Sequence, residues 1–141
     1  FGNDIIKKLA LTTTISAINA LQTNSWFGQL LKMVLTASGV KYSIDTNGYV
    51  CLGSFFGGLI IQWGTFFSSS DGNSTITFPT NFSSKAFAFV TLPEDTAEQN
   101  EHVSYWSLNN TSVKIFCTEQ TNGGSDVKAT ALNGTYFVVG A

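Results

Sequence analysis

Two hydrophobic periods divide the chain. Before about Val40 apolar residues recur at helical spacing; after it they alternate with polar residues in short runs. Asp4–Gln22 carries Ile5, Leu9, Leu11, Ile15, Ile18 and Leu21 at partial three- and four-residue spacing, which predicts a weak helix. Thr12-Thr13-Thr14 is β-branched and a poor helix interior, so this helix would form as one member of a trimeric bundle. Ser25–Ala37 predicts a second helix. Ser25 is its N-cap, Phe27, Leu30, Leu31, Val34 and Leu35 form its apolar stripe, and Ser38-Gly39 stops it. The stripe lacks acidic relief and should pack on the following domain or on sister chains.

From Val40 the period becomes two. Val40–Ile44 and Tyr49–Leu52 flank Asp45-Thr46-Asn47-Gly48, and Asn-Gly is the strongest short hairpin signal. Further strands are predicted at Leu59–Phe67, Thr75–Phe78, Lys85–Leu92, His102–Leu108, Val113–Thr118, Val127–Leu132 and Tyr136–Val139. Asn109-Asn110 and Asn133-Gly134 read as tight turns, and Ser68–Ser74, Glu94–Glu101 and Glu119–Asp126 as longer polar loops. Regular short strands with such turns predict an all-β fold, an antiparallel β-sandwich preceded by a short helical segment. The run Gly57–Gly64 is apolar except for Gln62 and predicts a strand buried on both faces. The Gln62 amide then needs partners, from neighbouring backbone or from its own copies near a three-fold axis.

Composition narrows the function. Charged residues make up 11% and hydrophobic residues 43%, with 13% aromatic. All seven basic residues are Lys. A chain without guanidinium groups or a basic patch is a poor fit to nucleic acid. So few charges cannot cover so much apolar surface on a single subunit, which argues for an oligomer. No apolar run is long enough to span a membrane, and no signal peptide is visible. The abrupt start at Phe1 reads as a piece cut from a longer chain. Cys51 and Cys117 read as buried free thiols, with no CxxC or Cys/His ligand cluster.

The chemical inventory is thin. His102 is the one histidine and reads as an exposed strand edge rather than a catalytic base. Glu94, Asp95, Glu98 and Glu101 form the one acidic cluster. Glycosidases present two carboxylates across a cleft, whereas these sit in one short loop, so a solvated binding loop is the better reading. Asp71-Gly72-Asn73 and Asp126 lack the dense acidic alternation of a calcium loop and read as turns. No metal, cofactor or catalytic residue is expected. Trp63 reads as core. Tyr105 and Trp106 are adjacent in a strand and should face opposite ways, one into the core and one outward. An outward Trp106 could stack on a sugar or pack on a neighbouring subunit.

Five segments together, Asn47-Gly48-Tyr49, Gly58–Gly64, Thr75–Pro79, Phe82–Val90 and Tyr136–Gly140, resemble the C-terminal domain of bacteriophage and prophage tail fibres. The resemblance covers about Val40 to Ala141, and Trp26–Val40 is similar to sequences that precede this domain. It implies an intertwined homotrimer at the distal end of a virion's tail fibre. Its partner would be lipopolysaccharide or an outer-membrane protein, with an assembly chaperone as a further optional partner, and no chemistry. On this reading 1–39 is a helical shaft or trimerisation segment, 40–57 a hairpin connector and 58–141 the receptor-binding sandwich. The alternatives are a connector or chaperone-docking module, and a glycan-degrading tip. The chain departs from relatives in a longer Glu94–Glu101 loop and in Tyr105-Trp106.

If the strand from Leu59 starts at the proximal end and successive strands run antiparallel, the three long loops share the distal end. The turns Thr80–Ser84, Asn109–Thr111 and Asn133–Gly134 then share the other. Because binding usually resides in long loops on a rigid scaffold, the expected receptor-facing set is Asp71, Asn73, Asp95, Gln99, Asn100, Glu101, Asn122 and Asp126.

Overall fold

The computed structural model describes residues 2–20, 22, 24–94, 99–121 and 123–141. The chain forms two units, Phe1–Gly39 and Val40–Ala141.

The first unit holds helices α1 (Gly2–Ala20) and α2 (Trp26–Ala37). Helix α1 runs through the threonine tract, where the Thr12 and Thr14 hydroxyls donate to the Lys8 and Ala10 carbonyls, one turn back, at 2.8 and 2.9 Å. At the start of α2, Ser25 Oγ accepts from the Gly28 amide at 2.9 Å, the expected N-cap. The chain turns out of α2 at Gly39, whose φ of 92° is left-handed. Most of the apolar stripe residues, including Leu9, Phe27, Leu30, Leu31 and Val34, are exposed in the single chain.

The second unit is a two-sheet antiparallel sandwich, as the strand pattern predicts. One sheet has five strands in the order β1 (Val40–Ser43), β2 (Gly48–Leu52), β3 (Ile60–Phe67), β9 (Asn133–Gly140) and β5 (Ala86–Pro93). The other has the order β4 (Asn73–Thr77), β7 (Ser112–Thr121) and β6 (Gln99–Leu108), and β8 (Val127–Ala129) also pairs with β7. A short 3-10 turn at Ser54–Phe56, followed by Gly57 and Gly58 at positive φ, leads into β3. Between the sheets lie Ile60, Phe66, Ile76, Phe78, Phe82, Val113, Ile115, Leu132, Tyr136 and Val138. Both cysteines are free and buried there, and burial pushes the Cys117 thiol pKa up, away from reactivity.

Strand β3 is buried on one face only. Ile60, Gln62, Gly64 and Phe66 point inward, while Ile61 and Trp63 are half-buried and Phe67 is 64% exposed. A two-layer antiparallel sandwich covers just the inner face of each sheet, which corrects the expectation of two-sided burial. Gln62 is fully buried, and its amide is answered by backbone: Nε2 donates to the Thr80 carbonyl at 2.8 Å, and Oε1 accepts from the Thr80 amide at 2.9 Å. This two-point clip fixes the segment after Phe78-Pro79 across the end of β3. Trp63 is half-buried on the outer face rather than in the core, and its indole donates to the Asp45 carbonyl at 3.0 Å.

Gln62→Leu should leave both Thr80 groups without partners. At about 1–3 kcal/mol per unsatisfied buried group, and several degrees per kcal/mol for a domain of this size, Tm should fall by roughly 10 °C. Gln120→Leu, at a half-exposed position, should move it little. An unchanged Tm in Gln62→Leu would mean the amide is solvated.

Candidate functional site

Strand register sorts the loops. Val40 pairs with Leu52, Cys51 with Ile60 and Ile60 with Gly140, so the chain enters the sandwich at the Ile60–Gly140 end. Phe67 pairs with Asn133 and Pro93 with Gly134, so the connection after β3, the one after β5 and the start of β9 share the opposite end. Gln99 pairs with Thr121 and Gln120 with Val127, which brings the β7–β8 connection there as well. The three long connections therefore fall together. Asn133-Gly134 does not keep the expected parity: it opens β9 at the long-loop end. Strand β8 is only three residues long and the chain crosses to the other sheet at 130–132, so β8 and β9 run the same way.

Backbone-directed bonds hold this end. Ser68 is fully buried; its Oγ donates to the Thr130 carbonyl at 3.0 Å and accepts from the Leu132 amide at 2.8 Å. The Glu94 amide donates to the Asn133 carbonyl at 2.8 Å. Asp71 is a turn-former, as expected. Its carboxylate accepts from the Ser69 hydroxyl, from the Asn73 amide at 3.1 Å and from Asn73 Nδ2 at 3.1 Å. Those donors, the Ser69 hydroxyl first, hold its pKa below the ordinary 3.8. Gly72 has φ of 78°, and a Cβ there would sit 2.4 Å from the Cys117 carbonyl oxygen, so the turn admits only glycine.

The expected site residues divide into groups. Asp71 and Asn73 share this turn. Gln99, Asn100 and Glu101 were expected in a loop but form the first three pairs of the β6–β7 ladder, opposite Thr121, Gln120 and Glu119. Asp126 is exposed just before β8. Asp95 and Asn122, with the rest of the acidic loop at 95–98, lie outside the described residues. Glu119 forms an ion pair with Lys128 at 2.9 Å, and its hydrogen bond to Lys128 holds its pKa below 4.5. Glu94, Gln99, Glu101 and Glu119 line a groove of about 390 Å³. Among the described residues, no three His, Cys, Asp or Glu side chains are placed to share a metal ion.

Trp106 lies elsewhere. It sits at a β-bulge, because Tyr105 pairs with Ile115 and Ser107 with Lys114, and the expected core-versus-outward split with Tyr105 does not hold. Trp106 is 64% exposed with the Lys114 ammonium 4.9 Å from its ring, and Tyr105 is 53% exposed, edge-on to Phe89.

A second groove, of about 500 Å³, lies between the β1–β2 turn and the edge of β4; Asn47, Tyr49, Thr75 and Tyr136 are among its walls. Sequence reasoning missed it. Tyr136 lies across Gly64, its cross-strand partner, where a Cβ would stand 2.7 Å from Tyr136 Cε1 and 2.2 Å from Asn47 Oδ1. The signal was a Gly and a Tyr whose pairing appears only once the register is known.

The second unit is thus an antiparallel sandwich entered at one end, with its long loops clamped at the other. Residues 54–141 match the family described as putative tail fiber protein gp53-like, C-terminal, and the chain belongs to that family. The fold is shared with an N-truncated R1-type pyocin tail fibre, at TM-score 0.55 and 20% identity over 78% of this chain and 95% of that one. It is shared also with an N-truncated R2-type pyocin tail fibre, at TM-score 0.55 and 17% identity, where the match covers 72% of this chain and 37% of the other. A Pseudomonas aeruginosa R1 pyocin fibre gives TM-score 0.55 and 21% identity, covering 72% of this chain and 28% of the other. The chain thus spans about a third of the length of the longer fibres it matches. No curated protein sequence matches it significantly.

Acid should loosen the long-loop end. Glu119 and Asp71 have folded pKa values below their ordinary 4.5 and 3.8, so their stabilisation is present above those values and is lost as pH falls through the folded ones. In Lys128→Met the Glu119 part shrinks to what the Thr130 hydrogen bond supplies, and Tm should fall less steeply on acidification than in the unsubstituted protein. Parallel acid limbs would remove the Glu119–Lys128 pair as a contributor.

Proposed function

We infer that this tail fibre domain is the receptor-binding tip of its fibre, and that it recognises a bacterial surface receptor, lipopolysaccharide or an outer-membrane protein, without covalent chemistry. The observation that carries this reading is the register. The chain enters the sandwich at the Ile60–Gly140 end, and the three long polar connections lie together at the other. Loops on a rigid scaffold are where binding resides. Polar residues of these connections and of the adjoining start of β6, namely Asp71, Asn73, Gln99, Asn100, Glu101 and Asp126, together with Asp95 and Asn122, make the receptor-facing set.

The tip works as a homotrimer. The outer face of the five-stranded sheet carries Phe67, Val90, Leu92 and Phe137, with Leu92 69% exposed, and the helices carry a further apolar stripe. Apolar surface of that extent, with 11% charged residues, supports burial between copies. Three weak sites on one rigid tip gain avidity.

Light scattering should give a trimer at micromolar concentration. Replacing residues 95–98 by Gly-Ser-Gly-Ser should keep the trimer and abolish competition with particles for adsorption to host cells. Full competition by that variant, with loss instead from changes at Asn109–Thr111, would put the binding end at the opposite pole. A monodisperse monomer would overturn the assembly.

A further inference from the structure

The outer face of the five-stranded sheet is uncharged from edge to edge. Strand alternation puts Ile61, Trp63 and Phe67 on it, because Ile60, Gln62 and Phe66 point inward. Register carries the face across the other strands. Tyr42 lies in one row with Val50, Ile61, Val139 and Ala88, and Trp63 lies in the next with Phe137 and Val90. Leu92 follows, opposite Thr135. No charged residue falls in these rows. Tyr42, Phe67, Val90, Leu92 and Phe137 are 45–70% exposed. With Phe87, also exposed, they leave roughly 700 Å² of apolar surface per copy, at about 200 Å² for a large side chain. That is close to the about 800 Å² that each partner gives to a stable interface.

The face ends in two free edges. Among the described residues, β1 pairs only with β2 and β5 only with β9. Every neighbouring pair in this sheet is antiparallel, so β1 and β5 run the same way, and both start at the Ile60–Gly140 end. Rotation about an axis along the strands therefore brings β5 of one copy beside β1 of the next, parallel and at the same level. At that level each edge carries one exposed aromatic ring. Tyr42 is on β1. Phe87 is on β5, at the bulge between Ala86 and Ala88, next to the residue that shares the Tyr42 row. The bulge and Pro93, which has no N–H, spoil β5 as a template for a further strand, so a contact along it is made by side chains.

We propose that three copies close into a triangular prism, in which the uncharged sheet faces line the axis and, at each corner, Tyr42 of one copy packs on Phe87 of the next. The proposal rests on the assembly reading and adds the edges through which the copies meet. A contact between unlike edges repeats head to tail and closes as a ring, whereas a contact of either edge with itself stops at two copies. The prism also keeps all three chains entering at one end and all three sets of long loops at the other.

Tyr42 and Phe87 stand on opposite edges of one sheet, about 19 Å apart within a chain at ~4.8 Å per strand. No disulfide spans that distance. A Tyr42→Cys/Phe87→Cys double variant can therefore be joined only between copies, and the native Cys51 and Cys117 are buried. Oxidised and run on a denaturing gel without reductant, the double variant should migrate as a covalent trimer and each single variant as a monomer. Covalent dimers from either single variant, or a double variant that stops at dimers, would overturn the proposal. Val90→Asp gives a second readout that needs no bond. The position is exposed in the single chain, so the β signal in circular dichroism should persist while light scattering at micromolar concentration shows the trimer lost. A trimeric Val90→Asp would also sink the prism. A double variant that scatters as a trimer yet forms no covalent product would put other surfaces at the corners; the proposal then fails and the assembly reading stands. An unsubstituted protein that scatters as a monomer removes both.

Discussion

The sandwich depends on aromatic rings lying over cross-strand glycines. Gly48 pairs with Trp63, Gly64 with Tyr136 and Gly134 with Phe66, and in each pair a Cβ on the glycine would stand 2.6–2.8 Å from the partner's side chain. A glycine in a strand loses backbone entropy and packs nothing of its own. A ring laid across it recovers the packing, and the pair then tolerates only one register. Slipping β9 by one residue would set a side chain against the Phe66 and Tyr136 rings and turn the inner face of β9 outward. The same pairs place Asn47, Tyr49 and Tyr136 together, so the constraint that sets the register also builds the groove.

That constraint explains what could be read from the sequence. The Asn47-Gly48 hairpin, the Ser25 cap and the need of Gln62 for backbone partners rest on local chemistry, and all three are present. Pairing is not local. Gln99, Asn100 and Glu101 carry no apolar alternation, and their strand exists because β7 offers them a ladder as far as Thr121. Asn133-Gly134 has the composition of a turn, yet Gly134 serves as the flat position under Phe66. The apolar run through Trp63 suggested burial on both faces because composition cannot tell a covered face from one awaiting a partner. The Trp106 bulge left no trace in the pattern at all.

At the long-loop end, much of the order comes from bonds to backbone groups. Ser68 ties the connection after β3 to the crossing segment at Thr130–Leu132, and Glu94 is held to Asn133 by its backbone amide. Exposed side chains at this end that make none of these bonds, such as Asp126, can therefore change without disturbing the scaffold. A binding surface built this way spends little conformational entropy on association, because its base is already fixed.

The low charge count ties assembly to recognition. A face carrying Phe67, Val90, Leu92 and Phe137 is a liability on a lone subunit and an asset between copies. With few ions available, solubility falls to hydroxyls and amides, and these are also the groups that bind neutral polar ligands. Charged side chains would solvate the surface more strongly, but each would have to be desolvated on contact with an uncharged receptor group. A tip that meets such groups therefore does better with Ser, Thr and Asn at its surface, provided that its apolar faces are covered by its own copies. In the proposed trimer the composition that makes the subunit unsuited to life alone is the one that suits an uncharged, polar partner surface.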